Sequence, residues 1–206
     1  MNTYILYESS EDNSLLFIST TNSLSIPVDA KEIWRVTAKS WEIACLKRNE
    51  YLNWEPYKPL ISSEKDLQDL IPEDKHDTDN ARLLINLGYP AISPVLLDIF
   101  ACIQDFNWPI ARELTPFLIS LGRKSLDTVK KIFLTNDAVW KYWVIQEVIA
   151  KMQASELEQF IPLLQNLNEN LSAEDIKEEV HLAIDEVFTA IKTQNDSFFK
   201  SSFPPC

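Results

Sequence analysis

The sequence predicts a mainly α-helical protein, a solenoid of stacked helical hairpins preceded by a small α+β domain. Three observations carry this. From residue 63 onward, capping residues and apolar stripes at helical spacing recur with short polar turns between them. The first sixty residues hold short runs of aromatic and branched side chains instead. Only 2 of the 206 residues are glycine, and both Gly88 and Gly122 follow a leucine where a helical pattern stops.

In the N-terminal part, Tyr4-Ile5-Leu6-Tyr7 and Leu15-Leu16-Phe17-Ile18 flank a polar stretch containing Asp12-Asn13 and read as a β-hairpin. Ile33-Trp34-Arg35-Val36 adds a strand. Ser40 then caps a helix carrying Trp41, Ala44, Cys45, Arg48 and Leu52. Asn53 is placed to end it, because asparagine tolerates the left-handed conformation of a helix stop. The two prolines of Trp54-Glu55-Pro56-Tyr57-Lys58-Pro59 exclude a helix and predict a linker over 54–62, with Trp54 and Tyr57 clamping the domains together. The expected division is a small α+β domain over 1–62 and a helical domain over 63–206.

Ser63-Glu64-Lys65-Asp66 resembles a capping box for a short helix ending before Pro72. Asp77 caps a helix bearing Ala81, Leu84, Ile85 and Leu87, which Gly88 stops. Ser93-Pro94 opens the next, with Leu96, Leu97, Ile99, Phe100 and Ile103. Asn107 opens another, carrying Ile110 to Leu121 with a kink expected at Pro116. Ser125 and Asp137 cap two more, the second apolar around most of its circumference. Ser155 begins a helix with a kink at Pro162, and Ser172-Ala173-Glu174-Asp175 begins the last, striped by Ile176, Val180, Ile184, Val187 and Ile191, with fraying after Thr193. Leu87-Gly88 recurs as Leu121-Gly122 after 34 residues, and Asp105-x-x-Trp108 as Asp137-x-x-Trp140 after 32. That period and the short loops favour a HEAT-like solenoid over a closed bundle.

The charge narrows the function. There are 31 acidic and 19 basic side chains, net −12, and no run of more than two basic residues, which argues against bare nucleic acid and for a partner with a basic surface. Six basic and eight acidic residues up to residue 62 leave −10 to the rest. Two isolated glycines cannot build a phosphate-cradling loop. Cys45, Cys102 and Cys206 form no CxxC pair and suggest neither a disulfide framework nor a zinc cage. The N-terminus lacks a basic region followed by an apolar stretch, and no window is long and apolar enough to span a membrane, so a cytoplasmic protein is expected.

No catalytic, cofactor or metal residue stands out. Asp74, His76 and Asp77 combine an imidazole with carboxylates, an acid/base or metal-binding set, but the simpler account has Asp77 capping a helix and His76 in a charged loop. A metal site would need a second cluster. The only other histidine, His181, sits in an acidic helix, where solvation is expected and nothing brings it to His76. Cys45 and Cys102 lie on apolar faces and are expected in the core. Trp140, Tyr142 and Trp143 are expected to anchor the core, and Trp108 to cover a repeat junction.

The motifs Asp69-Leu70-Ile71-Pro72-Glu73-Asp74-Lys75-His76-Asp77, Leu87-Gly88-Tyr89-Pro90-Ala91, Asn107-Trp108-Pro109 and Asp137-x-x-Trp140-Lys141-Tyr142-Trp143 resemble, in order, the bacterial family called domain of unknown function 5071, over about residues 66–190. The resemblance implies a compact set of HEAT-like helices and carries over no catalytic residue. Ser40-Trp41-Glu42-x-Ala44 with Trp54-Glu55-Pro56-Tyr57 is similar to a short module of other small bacterial proteins, in which a glycine commonly stands where Asn53 is found.

The expected function is a non-enzymatic interaction module with an acidic surface. Asp74, His76, Asp77, Trp108, Trp140 and Tyr142 are its candidate partner-binding residues. Its sharper form is an immunity protein that masks a basic secreted toxin; the alternatives are a hydrolase using Asp74, His76 and Asp77, or a scaffold subunit.

Overall fold

Alternating side chains and branched residues make β1 (Asn2–Ser9), β2 (Leu15–Ser19) and β3 (Ala30–Ala38) an antiparallel sheet of order β2-β1-β3. The third strand therefore pairs with β1, on the side away from β2. As the central strand, β1 buries Tyr4, Ile5 and Leu6 in succession. Leu6 faces Trp34 and Tyr7 faces Glu32, which leaves Ile33 as a bulge in β3. The Tyr51 hydroxyl donates to the Ile33 carbonyl (3.3 Å), so a side chain covers part of the outer edge of that strand.

The computed structural model describes residues 1–22 and 26–202, with side chains after residue 25 described through Lys192. Four expected helix starts are realised by their caps, at Ser40, Ser63, Asp137 and Ser172. Ser40 accepts from the Ile43 amide to start α1 (Trp41–Leu52), and Asn53 ends it at φ 51°. Ser63 and Asp66 form a reciprocal capping box at α2 (Glu64–Gln68). The next elements are α3 (Thr78–Leu87), α4 (Leu96–Ala101), α5 (Pro109–Leu121) and α6 (Leu126–Phe133). After them come α7 (Ala138–Trp143), α8 (Ala154–Leu157), α9 (Ile161–Glu169), α10 (Ala173–Lys177) and α11 (Val180–Ser202). The protein is mainly helical, and no helix among the described residues is long and apolar enough to cross a membrane. One continuous hydrophobic cluster runs from Tyr4 and Ala38 in the sheet, through Ile43 and Leu46 in α1, to Val187 in α11.

Several local expectations change. Asp77 occupies the position before α3 but gives it no side-chain cap; its carboxylate accepts from the Glu73 amide and the Asn80 side chain. Ser125 likewise turns its hydroxyl back onto the Gly122 carbonyl (2.8 Å). Trp108, not Asn107, precedes α5, because Pro109 suits the first helical position; Pro116 lies inside the helix. The two Asp-x-x-Trp motifs therefore differ: Asp137 caps α7 by accepting from the Trp140 amide, whereas Asp105 lies in the turn before Trp108. Gln153, not Ser155, precedes α8, and Pro162 falls in the first turn of α9. The last expected helix is two, broken at Glu179 (φ 60°), and Ile176 is exposed instead of joining the stripe. α11 continues to Ser202; the side chains beyond Thr193, where fraying was expected, and residues 203–206 lie outside the described residues.

Candidate functional site

A cleft of about 450 Å³ opens where β3 runs into α1, facing the segment 59–61, α2 and the start of α3. Glu42, Asp66, Asp69 and Glu73 line it against a single cation, Lys39. Their placement follows from local structure. Glu42 rides in the first turn of α1, just past the Ser40 cap, and Asp66 is the third residue of α2. Asp66 accepts from the Ser62 and Ser63 amides at 2.7 and 2.9 Å, and these bonds, Ser62 first, hold its carboxyl below the usual range. It stays charged at the mouth of the cleft. Glu42 and Asp69 meet no cation within 4 Å among the described residues.

Behind the cleft, Asp77 is buried. Its Oδ2 accepts from the Asn80 side chain (3.1 Å) and lies 3.7 Å from Lys39 Nζ, which also reaches Glu73 at 3.4 Å. The Asp77 charge raises the Lys39 amine above its ordinary value against the cost of desolvation, with Glu73 adding to it. Both contacts are long for an ion pair, so Lys39 balances the carboxylates without closing on either one.

The structure places the six candidate residues apart in environment. Asp74 is exposed and spends Oδ1 on the His76 amide (2.7 Å), a turn of the loop on itself. His76 is exposed, Asp77 is not, and the three make no chain of hydrogen bonds to one another's side chains. Trp108 is at the surface. Trp140 is in the core, as its spacing implied, with its indole N–H donating to the Phe100 carbonyl (2.9 Å). Tyr142 is half-buried and meets the edge of Trp143, which stacks on Phe106 at 5.4 Å. Cys45 and Cys102 are buried; desolvation, then Asp98, pushes the Cys102 thiol up to about 11. His181 is partly buried with Nδ1 enclosed and unbonded, not a solvated surface residue.

Sequence reasoning missed a buried ion pair. Lys141 Nζ reaches both oxygens of Asp175, at 2.9 and 3.2 Å, with side chains only 6% and 2% exposed. Asp175 also accepts from the Ser172 amide and hydroxyl; as the third residue of α10 it forms a capping box with Ser172. Burial pushes its carboxyl up, but Lys141 and Ser172 outweigh it and leave it below the ordinary range. The available signal was the Ser172–Asp175 box itself, which fixes Asp175 without revealing that its second partner lies in α7.

These features define a class: a helical protein fronted by a three-stranded sheet, with an acidic cleft at the junction and a buried ion pair between helices. The family described as Domain of unknown function (DUF5071) has a model that matches residues 70–188, and the chain belongs to that family. No curated protein matches the chain.

Proposed function

We propose that the protein is a non-enzymatic interaction module whose cleft at Glu42, Asp66, Asp69 and Glu73 receives a basic surface of a partner protein. The observation that carries this is four carboxylates lining one cleft with a single lysine, two of them unpaired among the described residues, on a chain of net charge −12. An incoming arginine or lysine finds several carboxylate acceptors lining one cleft. The sharper reading is an immunity protein that sits in the cytoplasm and masks a basic toxin; it rests on charge and on analogy with small acidic inhibitors. The hydrolase reading has less support, because Asp74 and Asp77 direct their carboxylates to loop and helix groups instead of to His76.

We read the helices as HEAT-like hairpins. In support, α3 touches α5, α4 touches α6 and α9 touches α11, each helix packing on the one two further along. Side-chain ties across the chain also keep one period: Arg82 to Glu50 spans 32 residues, Gln104 to Asp137 33, the Arg123 amide to Glu156 33, and Lys141 to Asp175 34.

The test is retention of a partner from source cells on the immobilised protein. A basic protein should be held at about 50 mM salt and released at about 500 mM, where the screening length falls to a few ångströms. Glu42→Lys with Asp69→Lys should abolish retention while leaving the thermal midpoint near that of the parent. Retention indifferent to salt and to both reversals removes the proposal. A toxin-like product encoded next to this reading frame would favour the immunity form, whereas a stoichiometric partner without toxicity would favour a scaffold subunit.

A further inference from the structure

A second surface lies outside the family match, on the sheet and α1. Four aromatic rings touch in sequence: Trp41 meets Phe17 at 5.1 Å, Phe17 meets Trp34 at 6.2 Å, and Trp34 stacks on Tyr51 at 5.2 Å with 16° between planes. The Arg48 guanidinium lies over Phe17 (5.0 Å) and over Trp54 (5.5 Å), which joins the fifth ring to the row. Trp41, Tyr51 and Trp54 remain 41%, 48% and 49% exposed. An uninterrupted aromatic row at the surface is costly to leave in water, and tryptophan, tyrosine and arginine are the residues enriched where protein partners bind most tightly.

One cation, Arg48, is held among these rings. Arg48 donates from Nε and Nη2 to the neutral Asn49 Oδ1, at 3.1 and 2.8 Å, and no carboxylate among the described residues lies within 4 Å of it. Of the acids on these elements, Glu32 pairs with Arg35 and Glu50 with Arg82, while Glu42, in the first turn of α1, makes no ion pair with Arg48. Arg48 is thus a cation held in place by two rings and without a direct carboxylate partner among the described residues. A guanidinium fixed in this way is preorganised for a carboxylate, and the rings beside it for an apolar side chain.

We propose that this face docks a segment of a second protein that presents a glutamate or aspartate next to a bulky apolar residue. The carboxylate takes Arg48, and the apolar side chain lies against Trp41 and Trp54. This gives the chain two binding faces of opposite preference, and the inference does not depend on the reading of the acidic cleft.

The test uses the full chain, 15N-labelled, with its indole N–H resonances followed by NMR during titration with a capped Glu-Leu-Glu-Phe peptide. Saturable shifts are expected at Trp34, Trp41 and Trp54, and none at the buried Trp140. The Gln-Leu-Gln-Phe and Lys-Leu-Lys-Phe peptides should bind about tenfold or more weakly, as should Arg48→Gln protein. Should Arg48→Gln fail to fold, Trp54→Ala, which removes a half-exposed ring, should weaken binding by a similar factor. Equal response to the lysine peptide, or shifts absent from all three indoles, overturns the proposal. So does tighter binding of oligo-dT than of the peptide, or shifts that follow protein concentration alone, which would assign the face to nucleic acid or to a second copy.

Discussion

Gly122 illustrates how much one residue without a side chain can decide. Its φ of 50° is strained for any other residue, and a Cβ built there would run into the Glu156 carboxylate. That carboxylate is flexible, but it accepts from the Arg123 amide at 2.7 Å, so moving it loses a bond at the helix junction as well. Gly88 differs. At φ 67° and ψ 178° it occupies a backbone region that is almost glycine-only, yet a Cβ there would meet nothing closer than the Ile85 carbonyl at 3.8 Å. Gly88→Ala should therefore cost about 1–2 kcal/mol from backbone strain alone. Gly122→Ala should cost about 1 kcal/mol more than that, because a hydrogen bond is lost too. Glu156→Gln in the Gly122→Ala background should recover none of it, and urea unfolding checks the ranking. Equal costs for the two glycines would mean that the Glu156 contact is incidental.

The ion pair between α7 and α10 is an energetic decision made by two elements together. Removing one partner leaves a buried charge, so Lys141→Met alone should cost roughly 3–5 kcal/mol, whereas Lys141→Met with Asp175→Leu should cost far less. The sign of the pH dependence follows from Asp175. Its carboxyl is held below its unfolded value, so the stabilisation is complete above the ordinary carboxylate range and is lost as pH falls through the lowered folded value. Asp175→Asn should accordingly flatten the decline in stability on acidification, measured by thermal unfolding across the acid range. At this scale the sequence was readable wherever the signal is local. The Ser40, Ser63, Asp137 and Ser172 caps, the Asn53 stop and the three strands all lie within a few residues of the atoms that decide them. Asp77 and Ser125 were misread because their side chains had competing partners, Glu73 and Asn80 in one case and Gly122 in the other. The cleft and the Lys141–Asp175 pair were not readable at all. Each is assembled from elements some thirty residues apart, and no spacing within one helix encodes that meeting.

Across the whole molecule, no side-chain tie described above joins residues more than 40 apart, the separation of Trp140 and Phe100. On the proposed HEAT-like reading, damage at one tie passes only to its neighbours. Lys141→Met should lower hydrogen-exchange protection in α7, α10 and the start of α11 while leaving β1 to β3 at parental rates. Mass spectrometry of exchanged peptides reads this directly, and a uniform loss of protection would indicate a single cooperative unit. The hydrophobic cluster is continuous from the sheet to α11, so the locality lies in the polar ties and not in the apolar packing.

The short reach of those ties also has a meaning in time. A chain leaves the ribosome at roughly 5–20 residues per second, so a group whose partner lies within 40 residues waits only about two to eight seconds for it to appear. Phe100 offers its carbonyl to an indole made moments later, and Asp175 emerges while Lys141 is still newly exposed. The buried pairs Trp140–Phe100 and Lys141–Asp175 are therefore completed almost as soon as both members have been made, well before the apolar cluster that runs from the sheet to α11 can close.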